Sequence, residues 1–244
     1  MSNEREQHET RERILWAAKK EFAGKGYAGA RMSSIAKKAR ANQALIHYYF
    51  NSKENLYQQV LYRLFGLERS ELEQHDFEKF SMTAPQKLHA AIYLLVRLYT
   101  EATDPDMNRI ISREVAEGRR FLNPLFRDYL IPRFERLVKV IEEGVAEGVF
   151  ETRNPFLFVL QMIMFLMFIS NNRETFQGSP YEERLYGEKG GERLYEYIVS
   201  QSFKGLRPEG GTLPVPPIPP EVCVDLDEFI RKIKEDQIGG TLND

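Results

Sequence analysis

Apolar residues recur along this chain at intervals of three and four, a period that predicts helix after helix and no alternating strand. Ile14, Leu15, Ala17, Ala18 and Phe22 form the inward stripe of a first helix, which Thr10 can cap and Gly24-Lys25-Gly26 ends. Residues 1–9 are charged and expected to form a frayed arm, and Trp16 falls outside the stripe, where packing on a neighbouring helix is the plain expectation. Ile35, Ala36 and Ala39 then give Met32 to Ala39 one small apolar face, Arg40 and Ala41 make a brief turn, and Asn42 caps a second short helix over Gln43 to Phe50. A short alternative for the first of these two helices would start later, with Ser33 or Ser34 as its cap. Ser52 caps the next helix, whose stripe of Leu56, Val60, Leu61 and Leu64 carries it toward residue 73. Two short helices joined by a tight turn, the second rich in exposed polar and aromatic side chains, predict a helix-turn-helix of the kind that enters the DNA major groove.

The rest also reads as helix. Leu88, Ala91, Ile92, Leu95, Val96 and Tyr99 lie on one face, and Asp104-Pro105 opens a helix expected to hold Ile110, Ile111, Val115 and Ala116 inside. Phe126, Tyr129, Leu130, Phe134, Leu137, Ile141 and Val145 extend another helix to Gly148, with a kink expected where Pro132 removes the bond to the Asp128 carbonyl. Asn154-Pro155 opens the most apolar helix, FLFVLQMIMFLMFIS, which must be covered on all sides, by its own domain or by a second subunit. A polar loop or lid is expected over residues 171–191, and a last long helix ends near Lys204. Beyond Pro208, GGTLPVPPIPP is a stiff extended linker, and Asp225 to Ile238 can form one more helix that docks on its own body, swaps to a partner or recruits another protein.

Charge changes this picture in one respect. Residues 1–53 hold 11 Lys/Arg against 5 Asp/Glu, whereas residues 54–244 hold 23 against 31. A basic module on an acidic body suits a protein that turns one face to nucleic acid. The single cysteine, Cys223, excludes an internal disulfide framework and fits a reducing cytoplasm. MSNEREQHET has no apolar signal core, and the longest apolar run, Phe156 to Ile169, is too short to span a bilayer, so a cytoplasmic location is expected. The four histidines show no metal spacing and no glycine loop cradles phosphate, so neither an enzyme nor a cofactor or metal is expected.

The residues Ile35-Ala36, Ala39, Leu45, Tyr49, Phe50, Ser52, Lys53, Glu54, Leu56 and Tyr57, with Ile14-Leu15, Ala17-Ala18, Phe22, Gly26 and Tyr27 upstream, resemble the tetracycline-repressor (TetR/AcrR) family of bacterial one-component transcription regulators. Gly205-Leu206-Arg207-Pro208 resembles the end of that family's last helix. The chain departs from the pattern at Arg40, where the family usually has glycine, and at Ala30-Arg31, where it usually has a Thr or Ser cap. The resemblance implies an all-α fold with a helix-turn-helix DNA-binding domain over 1–54. It further implies a ligand-binding and dimerisation domain over 55–208, leaving 209–244 as linker and tail. It also implies a homodimer on a palindromic operator, held by the last two helices of the body, and a small-molecule effector that releases a repressor from DNA.

Candidate chemistry follows from both readings. Gln43 can pair bidentately with adenine, Ala44 or Leu45 can pack on a thymine methyl, and His47 and Tyr48 lie one turn on. Lys53 resembles the family's phosphate clamp, with Arg31, Lys37, Lys38 and Arg40 as further phosphate candidates. Ser33 and Asn42 complete the expected DNA-facing set. For the effector, Tyr93, Arg97, Arg113, Glu114, Phe121, Tyr129, Gln161, Met162 and Phe165 offer polar anchors among aromatics, although such stripes also serve as plain core. The alternative reading is a helical protein-interaction module whose reader no longer binds DNA.

Overall fold

The computed structural model describes residues 2–67, 79–102 and 104–238. Its elements are helical throughout, with no strand among the described residues, as the period of the sequence predicts. The chain divides into two compact units, one of Met1–Gln74, Asp104–Arg127 and Ile233–Asp244, the other of His75–Thr103 and Asp128–Lys232.

In the first unit, α1 (Ser2–Gly29) begins well before Thr10, so residues 2–9 are helical and not a frayed arm. Glu, Arg and Gln are strong helix formers, and Arg5 pairs with Glu9 one turn on at 3.2 Å. Helical geometry breaks at Gly26 (φ 68, ψ 175), inside the segment expected to end the helix. Trp16 is half-buried, with the Lys20 ammonium 5.9 Å from its ring. Ile14, Leu15, Ala18 and Phe22 are buried, as are residues of α2 (Met32–Lys38), α3 (Gln43–Phe50) and α4 (Lys53–Leu64). Fully burying each large apolar side chain contributes about 1.5–3 kcal/mol. α4 closes at Leu64 with Gly66 in a left-handed turn, short of the expected residue 73, and 68–73 lie outside the described residues.

A chain segment distant in sequence completes this unit. α6 (Pro105–Ala116) docks on α1 through Lys19 with Asp104, both buried, and Lys20 with Asp106 at 2.7 Å. Arg113 donates to the Ala23 and Gly24 carbonyls at 3.3 and 2.8 Å, satisfying acceptors near the end of α1. Ile110 is buried as expected, but Val115 and Ala116 are exposed and Glu114 is buried instead. The face was misread because the carboxylate, not the aliphatic neighbours, finds partners inside.

In the second unit, α5 (Ala84–Glu101) starts with a capping box between Thr83 and Gln86. It packs with α8 (Ile131–Ala146), α9 (Pro155–Asn171) and α12 (Gly190–Gly205) around Leu88, Ile92, Ile141, Ile163, Leu166 and Ile198. The expected effect of Pro132 is absorbed by a π-helical turn, Phe126–Leu130, that follows α7 (Leu122–Leu125). The proline thereby falls in the first turn of α8, where its missing N–H costs little. Gly144 on α8 lies so close against the Phe150 ring that no Cβ fits.

Along α9 the face of Val159, Ile163 and Leu166 is buried, while Phe156, Leu157, Met164, Phe165 and Phe168 are exposed. The segment expected as a loop holds two short helices, α10 (Arg173–Phe176) and α11 (Glu182–Tyr186), and the Tyr186 hydroxyl anchors it to the Ile169 carbonyl at 2.6 Å. The last helix, α13 (Pro220–Ile238), starts five residues before the expected Asp225. It docks on its own chain: Val222 and Leu226 bury against Ala90 in a cluster apart from the unit's main core. Asp227 meets Tyr93 at 2.6 Å and the Arg97 guanidinium, and the linker's Pro216 carbonyl accepts from His89 at 2.7 Å.

Candidate nucleic-acid interface

The turn between α2 and α3 is built around Arg40, whose φ of 51 is left-handed. A non-glycine residue there costs about 1–2 kcal/mol. The conformation is stabilised by the Ala41 N–H on the Ala36 carbonyl at 3.0 Å, and Arg13 of α1 reaches the Ala39 carbonyl at 3.4 Å. Asn42 caps α3 by accepting the Leu45 N–H at 2.7 Å, and Ser52 caps α4 by accepting the Asn55 N–H at 3.0 Å. Both caps match their sequence expectation. Arg31 occupies the cap position of α2, extended and without a side-chain cap bond, so neither Ser33 nor Ser34 starts a shorter helix.

On α3, Ile46 and Phe50 are inaccessible and fix the helix to the unit, with Arg11 5.5 Å above the Phe50 ring. The opposite face presents Gln43, Ala44, His47 and Tyr48, all exposed, with Leu45 half-buried beside them. Tyr48 is 74% exposed, although an aromatic ring of this size gains from burial. His47 stays near the helix end through Nδ1 and the Asn51 carbonyl at 2.9 Å. Donors, acceptors and a methyl on one anchored, outward helix face are what base edges in the major groove pair with.

The cations around this helix fall into two groups. Arg31, Lys37 and Arg40 are exposed, and Lys53 opens α4 with its ammonium 4.8 Å from the Tyr27 ring and 3.4 Å from the Ala28 carbonyl. Desolvation lowers the Lys53 pKa from its ordinary value. Lys38 differs, because its ammonium sits 2.5 Å from buried Glu21, which also pairs with Lys25 at 2.8 Å. Burial pushes the Glu21 carboxyl upward, but Lys25, Lys38 and Ser34 outweigh it and hold the group down at about 2. Sequence reasoning missed Glu21. Its signal was a carboxylate three residues beyond Ala18, on the apolar stripe of α1.

Glu114, expected among the effector residues, lies under α4. Glu114 accepts from the Tyr57 hydroxyl at 3.0 Å and from the Phe121 and Leu122 N–H groups at 3.0 and 3.4 Å. Phe121 packs with Tyr27 and Tyr57, at centroid distances of 4.7 and 4.9 Å. Three of the expected effector residues therefore belong to the first unit, Glu114 and Phe121 in this cluster and Arg113 on the α1 carbonyls. Of the others, Tyr93 and Arg97 meet at 2.8 Å and share Asp227, Met162 faces the core of the second unit, and Tyr129, Gln161 and Phe165 are exposed.

A two-helix reader with one face anchored and the other presented, flanked by cations, defines the helix-turn-helix class of DNA-binding proteins. Residues 14–60 match the family model for bacterial regulatory proteins of the tetR family, and residues 87–200 match the tetracyclin repressor-like C-terminal domain. The chain belongs to the tetracycline-repressor family. It is similar to the HTH-type transcriptional repressor NicS of Pseudomonas putida, 42% identical over 57 residues, which cover 23% of this chain and 27% of that protein. A longer match, 24% identical over 187 residues, runs to the probable HTH-type transcriptional regulator YttP of Bacillus subtilis and covers 74% of this chain and 89% of that one. Among solved structures, a linker-substituted mutant of HlyIIR aligns with a TM-score of 0.56 and 26% identity, over 82% of this chain and 97% of its own. Among the described residues, no helix is long and apolar enough to cross a membrane.

Proposed function

We propose that this protein is a homodimeric, sequence-specific DNA-binding transcriptional regulator in the cytoplasm, a repressor that a small molecule releases from a palindromic operator. One observation carries the reading: α3 is anchored by Ile46 and Phe50 and presents Gln43, Ala44, His47 and Tyr48 to solvent, between the exposed cations Arg31 and Arg40. Lys53 at the start of α4 adds a phosphate clamp of the kind the family uses. The proposed division is a reader over 1–54, an effector and dimerisation region over 55–208, and a tail over 209–244. The exposed apolar face of α9, with Tyr197 of α12 beside Phe165 at 6.1 Å, supports dimerisation, because exposed apolar side chains gathered on one face favour a covering partner. The effector site is assigned to the second unit, with Tyr93, Arg97 and Met162 as its first residues to test.

The experiment is a titration of the purified protein against DNA from its own upstream region and against scrambled DNA, at two salt concentrations. Selective, salt-sensitive binding by a dimer is the expected result. Lys53→Ala weakens binding to every sequence, whereas Gln43→Ala alters the preference among sequences. Equal affinity of the wild type for both DNAs overturns the reading.

A further inference from the structure

The loop after α6 reads Gly118-Arg119-Arg120, and it belongs to the same unit as the helix-turn-helix, although some sixty residues of chain separate them. Its position is fixed by backbone bonds. The Arg119 N–H meets the Glu114 carbonyl at 2.6 Å, the Asn123 N–H meets the Arg119 carbonyl at 3.0 Å, and the Phe121 N–H rests on the buried Glu114 carboxylate. Gly118 (φ 91) and Arg119 (φ 59) are both left-handed. A non-glycine residue held in that region is strained, and such strain gathers where a side chain is used.

These constraints bring the Arg120 guanidinium to the start of α4, with Arg119 beside it in the chain. Arg120 lies 5.8 Å from the Tyr27 ring and 4.9 Å from the Phe121 ring, and it meets Glu54 at 3.1 Å. Lys53 sits 4.8 Å from the same Tyr27 ring, so the two cations are within about 11 Å of one another. Each strand of B-DNA carries one phosphate per ~3.4 Å of helix axis, so two cations no more than about 11 Å apart reach phosphates within about three steps of one another on one strand. The Arg120–Glu54 pair is mostly exposed, and an exposed pair of this kind holds weakly, leaving the guanidinium free to change partner. Arg119 is exposed, and its bonds are those of its backbone to Glu114 and Asn123.

We propose that Arg119 and Arg120 form a backbone-phosphate site that extends the DNA interface beyond the helix-turn-helix, on the flank marked by Lys53. The site reads no base. It adds affinity and salt dependence, and the rigid loop sets where the flanking strand lies. The proposal rests on the reading of the chain as a DNA-binding regulator.

The test compares wild type, Arg119→Gly and Arg120→Ala in titrations with the upstream duplex and the scrambled duplex across a range of salt. Each substitution is expected to weaken both complexes alike and to reduce the slope of log affinity against log salt by about 0.9 per subunit, about 1.8 for the dimer. Arg119→Gly also relieves the left-handed backbone, so its thermal midpoint stays level or rises while DNA binding falls, a combination that misfolding cannot produce. Arg120→Lys keeps the slope, because a cation remains. If wild type selects the upstream duplex and both charge-removing variants keep its slope, the phosphate site is overturned and the regulator reading stands. If wild type shows no selectivity, the regulator reading itself falls.

Discussion

Tyr57 on α4 donates its hydroxyl hydrogen to Glu114 on α6 at 3.0 Å, and both side chains are almost inaccessible to solvent. Burial and the neighbouring Glu114 carboxylate raise the Tyr57 pKa, so the phenol remains a donor at any working pH. Tyr57→Phe removes the donor and leaves a buried acceptor short of a partner. The expected cost is about 1–3 kcal/mol, read as a lower denaturant midpoint with unchanged slope. An unchanged midpoint would show that the bond contributes nothing.

Glu21 gives the fold an acid limit. Its carboxyl is depressed from 4.5 to about 2, so the folded state holds its charge where the unfolded chain does not. The stability from this difference is present above pH 4.5 and is lost as pH falls from there toward 2. Thermal unfolding across that interval should show the midpoint dropping with pH, and Glu21→Gln should flatten the drop while lowering stability at neutral pH.

Arg40→Gly separates strain from charge. Glycine takes the left-handed turn freely, so the variant should gain about 1 kcal/mol in unfolding experiments. The same change removes an exposed cation beside α3. DNA affinity should therefore fall as stability rises, and a parallel gain in both would remove Arg40 from the interface.

Phe168, 54% exposed on α9, tests the proposed dimer. Phe168→Glu places a charge on the apolar face and should shift the protein from dimer to monomer in sedimentation or light scattering. Operator affinity should drop with it. A dimer that persists unchanged would locate the interface elsewhere.

The tail makes a local prediction. Leu226 is fully buried in the small cluster with Ala90 and Val222, so Leu226→Ala should cost about 2–4 kcal/mol of tail docking. Limited proteolysis should then cut the proline-rich linker faster, with the main transition of the second unit little changed. Asp227→Ala should have a smaller effect, because its bonds to Tyr93 and Arg97 are part-exposed.

The reader was legible because its signals are local. The caps at Asn42 and Ser52, the alternation of Ile46 and Phe50 with polar residues, and the odd Arg40 each act within a few residues. The buried acids were not legible, because Glu21 and Glu114 are inside only by virtue of Lys38, Tyr57 and the Phe121 N–H, which come from other helices. Val115 and Ala116 have the composition of a core face, and the helix turned them outward once Glu114 found those partners. The tail's docking rests on Ala90 and Tyr93, more than a hundred residues away from the helix they hold.

The membership of α6 in the first unit has a practical corollary for dissecting the protein. A fragment cut after α4 retains every residue of the two-helix motif, yet it takes Asp104 from Lys19, Glu114 from Tyr57 and Arg113 from the end carbonyls of α1. The unit that carries the reader is therefore discontinuous in sequence, and a fragment ending at α4 is expected to melt below the full chain.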